Sequence, residues 1–204
     1  MGGANCEGEM GIETLRAFPW VDCVVSGEAD AFFRELCERF LERDRVGDIA
    51  PLPQGVETQW MIRRHNEPSY ANGGGNRGTG AGARSVLRDL DALPIPHFDD
   101  YFATLAASPL SSMVQPGLLA ETSRGCWWGE RSHCAFCGLN GAGIAYRAKS
   151  PARILAELTE LSGRHGLRNI QFTDNILDMS HIGPLLGELA KAEPKYSLFY
   201  SHPL

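Results

Sequence analysis

No apolar run in this chain approaches the roughly 20 consecutive residues that a membrane-spanning helix needs. The N-terminus also lacks the charged-then-apolar pattern of an export signal. A Lys/Arg surplus is missing too. With 19 basic against 25 acidic side chains the net charge is -6, which argues against broad binding to nucleic acid or to acidic membrane surfaces. The expectation is a cytoplasmic protein with no nucleic-acid and no membrane partner. Without an export signal the six cysteines speak for thiols or metal ligands over a disulfide framework. What is present is an ordinary globular composition, 43% hydrophobic and 22% charged, able to bury a core as one domain or as parts of two.

The chain reads in three parts. Residues 1–46 open on Gly2-Gly3-Ala4-Asn5, reach an apolar stretch at Cys23-Val24-Val25, turn at Gly27-Glu28, and enter a helical pattern. That pattern places Phe32, Phe33, Leu36, Cys37, Phe40 and Leu41 on one face. Strand, glycine turn and amphipathic helix make an α/β signature. Residues 47–115 lose periodicity. Asn72-Gly73-Gly74-Gly75-Asn76 with Gly78, Gly80 and Gly82 cannot hold a regular element, and Leu90-Asp91-Ala92-Leu93-Pro94-Ile95-Pro96 is extended by its prolines. This part is expected to be a linker, with its proline stretch strapping one domain to the next.

Residues 116–204 alternate regularly. A strand is expected at 118–122, then a cysteine loop. A helix should start at Ser150-Pro151 with Ile154, Leu155, Leu158 and Leu161 facing inward. A strand at 169–173, a helix over 182–191 and an apolar run from Tyr196 to Tyr200 follow. Strands separated by helices of this length predict βαβ units around a parallel sheet. Cys6, Cys23 and Cys37 are scattered through apolar or helical stretches and are expected to be buried structural thiols.

The other three cysteines lie within twelve positions: Cys126-Trp127-Trp128-Gly129-Glu130-Arg131-Ser132-His133-Cys134-Ala135-Phe136-Cys137. The C-x2-C pair presents two thiolates to one centre and the longer loop returns a third. Three thiolates on a four-iron cluster leave one iron open to a substrate or cofactor. A structural zinc closed by His133 is the second reading, although His133 is adjacent to Cys134 and awkwardly placed to share its ion. A redox dithiol at Cys134 and Cys137 is the third, and it leaves Cys126 without a role.

The run Glu121-Thr122-Ser123-Arg124-Gly125-Cys126, the aromatic Phe136 before the last cysteine, Tyr146-Arg147-Ala148-Lys149-Ser150, and Phe172-Thr173-Asp174-Asn175 resemble the cobalamin-dependent branch of the radical S-adenosylmethionine superfamily. The nearest group is the maturases of ribosomally synthesised, bacteriocin-type peptides. The commonest superfamily spacing is C-x3-C-x2-C, so the first gap here is four residues longer, as in the peptide-maturation group. The resemblance implies that Cys126, Cys134 and Cys137 ligate a 4Fe-4S cluster whose open iron takes S-adenosylmethionine. It also implies that Phe136 packs near the adenine and that Asp174 and Asn175 hold the cofactor's amino group. A helix N-cap or turn is the alternative for Asp174-Asn175.

By the same resemblance, residues 1–46 are the end of a Rossmann-like cobalamin-binding domain, with Gly2 and Gly3 beside the nucleotide tail of cobalamin. Residues 116–204 would be the first βα units of a radical S-adenosylmethionine partial TIM barrel. The implied activity is C-methylation of a ribosomally made precursor peptide, with an electron donor such as flavodoxin or ferredoxin. A non-enzymatic zinc-binding interaction module and an inactive fragment are the alternatives. The missing earlier strands and later barrel strands lead to the expectation that the chain is a fragment of a longer enzyme.

Overall fold

The structure, a computed structural model, describes residues 1–3, 6–42, 56–58, 84–137 and 145–200. It divides into two units, Met1–Leu87 and Arg88–Leu204.

In the first unit, helix α1 (Glu9–Ala17) precedes strand β1 (Cys23–Val25) and helix α2 (Phe33–Glu42). Strand β2 (Val56–Thr58) pairs antiparallel with β1, Cys23 opposite Thr58. Helix α1 was not visible in the hydrophobic pattern because only Gly11 and Leu15 face inward, while Met10 is exposed. Leu15 joins Cys6, Val21 and Val24 in a small core. A second cluster holds Val25, Phe32 and Leu36.

The six-residue apolar face expected on the second helix is narrower than its composition. Phe33, Cys37 and Leu41 are exposed, since each follows an inward position by one residue and is rotated about 100° away from it. Cys37 is therefore not the buried thiol expected of it; Cys6 is buried and Cys23 half-buried. Residues 84–87 return to the end of β1. Gly27 forms a parallel bridge with Ser85, and a Cβ on Gly27 would stand 2.2 Å from the Ser85 carbonyl oxygen, so only glycine admits that approach.

In the second unit, strands β3 (Leu118–Ala120), β6 (Asn169–Phe172) and β7 (Ser197–Tyr200) form a parallel sheet in the order β3-β6-β7. Leu118 pairs with Ile170, and Ile170 with Leu198. A separate antiparallel pair joins β4 (Ser123–Arg124) to β5 (Arg147–Ala148). The mixed α/β class with a parallel sheet is thus observed.

Helix α3 (Asp99–Ala107) lies before the sheet and helix α4 (Pro151–His165) crosses from β5 toward β6. The start of α4 follows the sequence signal. Ser150 caps it by accepting the Arg153 N–H, Pro151 occupies the first turn, and Gly166 ends it in the left-handed conformation. Ile154, Leu158 and Leu161 pack on Leu118, Ala120, Ile170 and Phe172, with Leu185 and Leu189 completing the core.

The helix expected over 182–191 is broken instead. A 3-10 turn (Met179–His181), a π segment (Ile182–Leu186) and one α turn (Gly187–Leu189) follow one another. Pro184 sits inside the π segment, where its missing N–H interrupts the regular ladder. The expected linker, 47–115, contains β2 and α3, and the stretch expected to be extended from Leu90 instead begins with a 3-10 turn (Leu90–Ala92), which Asp89 caps by accepting the Asp91 N–H. Ile95, Phe98 and Phe102 from it pack against the core of the second unit, while the Gly-rich part at 72–82, like Ala4 and Asn5, lies outside the described residues.

Candidate functional site

Because β3 and β6 are parallel neighbours, their C-terminal ends lie side by side, and the segments that leave them meet. Residues 122–127 lead from β3 into the cysteine loop; residues 174–178 follow β6. Asp174 joins the two. Its Oδ1 accepts the Thr122 N–H at 2.7 Å and the Ser123 N–H at 2.9 Å, and its Oδ2 accepts the Thr122 hydroxyl.

Further bonds continue along both segments. The Ser123 hydroxyl donates to the Ile176 carbonyl at 3.5 Å, the Asn175 side-chain N–H to the Gly125 carbonyl at 3.4 Å, and the Trp127 indole N–H to the Leu177 carbonyl at 3.0 Å. Asp174 is only 3% exposed. Burial pushes its carboxyl above the ordinary range, against the donors on Thr122 and Ser123 that favour the anion.

The loop itself begins as a turn. The Glu130 N–H donates to the Cys126 carbonyl at 3.1 Å and the Ser132 N–H to the Trp128 carbonyl at 2.8 Å. The Gly129 N–H donates to Cys126 Sγ, 3.3 Å away. At the far end the Cys137 N–H donates to the Cys134 carbonyl at 3.0 Å, closing the C-x2-C turn. Cys126, Cys134 and Cys137 are all free and half-buried.

These observations test the fit of a thiolate-ligated cluster. The donor set suits it: three free thiols on one loop, one of them already receiving a backbone N–H. Among the described residues, however, no three His, Cys, Asp or Glu side chains are gathered as a chelating group. The ligand chemistry fits, and the ring of ligands is not drawn together in this conformation.

The remaining expected site residues fall in different surroundings. Phe136 is 84% exposed. Asn175 is exposed apart from its bond to Gly125, and both Asp174 oxygens are engaged by Thr122 and Ser123. Gly2 and Gly3 belong to the first unit, where the Met1 carbonyl accepts the Val25 N–H at 2.8 Å. Gly3 has φ +98°, and a Cβ there would meet nothing within 4 Å.

Residues to which the sequence reading gave no role in the site complete the surroundings. Tyr146 donates its hydroxyl to Asp178 Oδ2 at 2.9 Å, and the Ser180 N–H and hydroxyl both bond Asp178 Oδ1. Burial raises the Tyr146 phenol, and Asp178 adds to that. His181, buried, has Nε2 3.9 Å from Asp178 Oδ2. Trp127, Arg131, Tyr146, Asp178 and Met179 line a cleft of about 360 Å³ beside the loop.

Deeper in, Lys149 and Glu157 form a buried ion pair at 2.7 Å, and the Lys149 N–H bonds the Thr122 carbonyl. The signal for Asp178 was present in the sequence as Asp-x-Ser, a turn-capping pattern. No local pattern announces the partners of Tyr146 and Lys149, because their contacts are 32 and 8 residues away.

No family model matches this chain. An uncharacterized methyltransferase of Pyrococcus horikoshii is 27% identical to it over 168 residues, 82% of this chain and 31% of that protein. The chain therefore spans about a third of the length of the curated relative it matches. Among the described residues no helix is long and apolar enough to cross a membrane.

Proposed function

We propose that this chain belongs to a methyltransferase that uses S-adenosylmethionine, and that it does so as a radical enzyme with Cys126, Cys134 and Cys137 as the ligands of a 4Fe-4S cluster. The observation that carries the proposal is the placement of three free thiols on the loop that leaves the C-terminal end of β3. In α/β sheets and barrels of parallel strands, that end is where binding and catalytic groups collect. The similarity to a protein named a methyltransferase supports the reaction class.

The roles assigned to this chain's residues follow from their positions. The three thiols hold the cluster. Trp127, pinned by its indole N–H to Leu177 and packed edge-on against Trp128 at 6.0 Å, fixes the start of the loop beside Cys126. When bound, such a cluster supplies one-electron cleavage of S-adenosylmethionine.

The finer reading is C-methylation of a ribosomally made peptide, with cobalamin as methyl carrier beside Gly2 and Gly3 and a flavodoxin or ferredoxin as electron donor. Its support is the set of motifs around Cys126, Tyr146 and Asp174.

Anaerobic reconstitution with iron and sulfide tests the proposal. Iron and sulfide should be retained with the visible absorption of a thiolate-ligated cluster, and Cys134→Ala should abolish it. Stoichiometric zinc with no iron uptake would overturn the reading in favour of a structural zinc module.

A further inference from the structure

Cys126 is held very differently from Cys134 and Cys137. On one side of Cys126 the Gly125 carbonyl accepts the Asn175 side chain, and on the other the Trp127 indole is tied to the Leu177 carbonyl. Three and four residues before Cys126, the N–H groups of Ser123 and Thr122 converge on the single oxygen Asp174 Oδ1. The Ser123 hydroxyl reaches Ile176. All these partners come from four consecutive residues, 174–177, beyond the end of β6. At Cys134 and Cys137, by contrast, the hydrogen bond found among the described residues is the one that closes their own turn.

We propose that residues 174–177 are a template that sets Cys126 in place before any metal binds, so that ligation is completed by recruiting the Cys134–Cys137 turn to a thiol already positioned. Asp174 and Asn175 are then positioning residues, acting through the backbone of 122–125 and not through contact with a nucleotide cofactor. The assignment rests on Cys126 being a metal ligand, as proposed above.

The chemistry of Asp174 suits this role. A carboxylate is an acceptor at both oxygens, so it can take two successive backbone N–H groups and a hydroxyl together. All three donors belong to Thr122 and Ser123, which are buried. Loss of the carboxylate leaves their N–H groups without a partner in a site water does not reach, and such a site opens to recover hydration. Both Asp174 oxygens are engaged by this chain, Oδ1 by two backbone N–H groups and Oδ2 by a hydroxyl.

The full 204-residue chain, metal-free, tests the template by cysteine alkylation resolved site by site with mass spectrometry. In Asp174→Ala the rate at Cys126 should rise about tenfold, as local opening exposes it, while the rates at Cys134 and Cys137 stay unchanged. Asp174→Asn, which keeps one oxygen for the two N–H groups, should restore most of the protection. An unchanged Cys126 rate, or equal acceleration of all three thiols, overturns the proposal.

If Asp174→Ala does not fold, Asn175→Ala carries the same comparison through its single bond to Gly125. A selective rise at Cys126 supports the template and no rise overturns it. Cobalt(II), added alone as a spectroscopic probe of thiolate ligation, separates the two readings. Selective protection of Cys126 without cobalt(II) binding by the wild type removes the metal assignment and retains the template. Binding that is equally tight in wild type and Asp174→Ala removes the template and retains the metal assignment.

Discussion

Lys149 and Glu157 carry opposite charges at 3% and 1% exposure, where neither ion is tolerated alone. Glu157 Oε2 takes the Lys149 ammonium, Arg153 Nε stands 3.9 Å away, and Glu157 Oε1 has no partner among the described residues. Lys149→Met or Glu157→Leu alone should therefore cost about 3–5 kcal/mol, and the double substitution should recover most or all of it. Denaturant titration of the three variants checks this.

Asp178 answers differently to its surroundings. Burial pushes its carboxyl up, but the Ser180 and Tyr146 donors and the nearby His181 outweigh burial and hold it below the ordinary carboxylate range. The fold thus favours the anion. Its contribution to stability is complete above the ordinary carboxylate range and is lost as pH falls through the lowered value. Asp178→Asn should flatten the acid limb of a stability-against-pH curve. A curve superimposable on the wild type would show that the bonds to Ser180 and Tyr146 do not survive in solution.

Among the elements, α4 is the one whose sequence and structure agree most closely. Its cap, its first-turn proline, its inward stripe and its terminal glycine all act locally, within one or two turns of the residues that carry them. Leu158 lies at the centre of that stripe, fully buried against β3 and β6. Leu158→Ala should destabilise the second unit by about 2–5 kcal/mol. Amide exchange should accelerate in α4, β3 and β6 while that of α1 and β1, which belong to a separate core, is unchanged. The elements that escaped the sequence reading lack such local redundancy. Helix α1 shows only Gly11 and Leu15 inward, and the segment after β6 has the composition of a helix but carries Pro184 in its middle.

Over the whole molecule, three clusters divide the buried apolar residues, two in the first unit and one in the second, and the cysteine loop belongs to the second unit. The boundary falls at Leu87, well before the end of the stretch that composition marked as a linker. Ile95, Phe98 and Phe102 are separated by too few apolar neighbours to show a period, yet together they cover one side of the core. Metal loading belongs to this scale because the loop that would hold the metal is tied to a strand end some 50 residues away in the chain. Iron uptake should accordingly protect the loop from 126 to 137 against amide exchange and leave the first unit unaltered. Uptake with no protection of the loop would place the metal elsewhere.

By itself the sequence determined the α/β alternation, the limits of α4, and three thiols gathered on one loop after a strand. Each of these depends on spacing along the chain, which periodicity and cysteine counting read directly. Only the tertiary structure decided what surrounds those thiols. The bonds from Asp174 to Thr122 and Ser123 span 52 and 51 residues, and they exist because the parallel pairing of β3 and β6 brings two distant strand ends together. A local pattern holds no record of that pairing, so Asp174 could be read from sequence as a cofactor contact or a cap, while its three donors became visible only across the sheet.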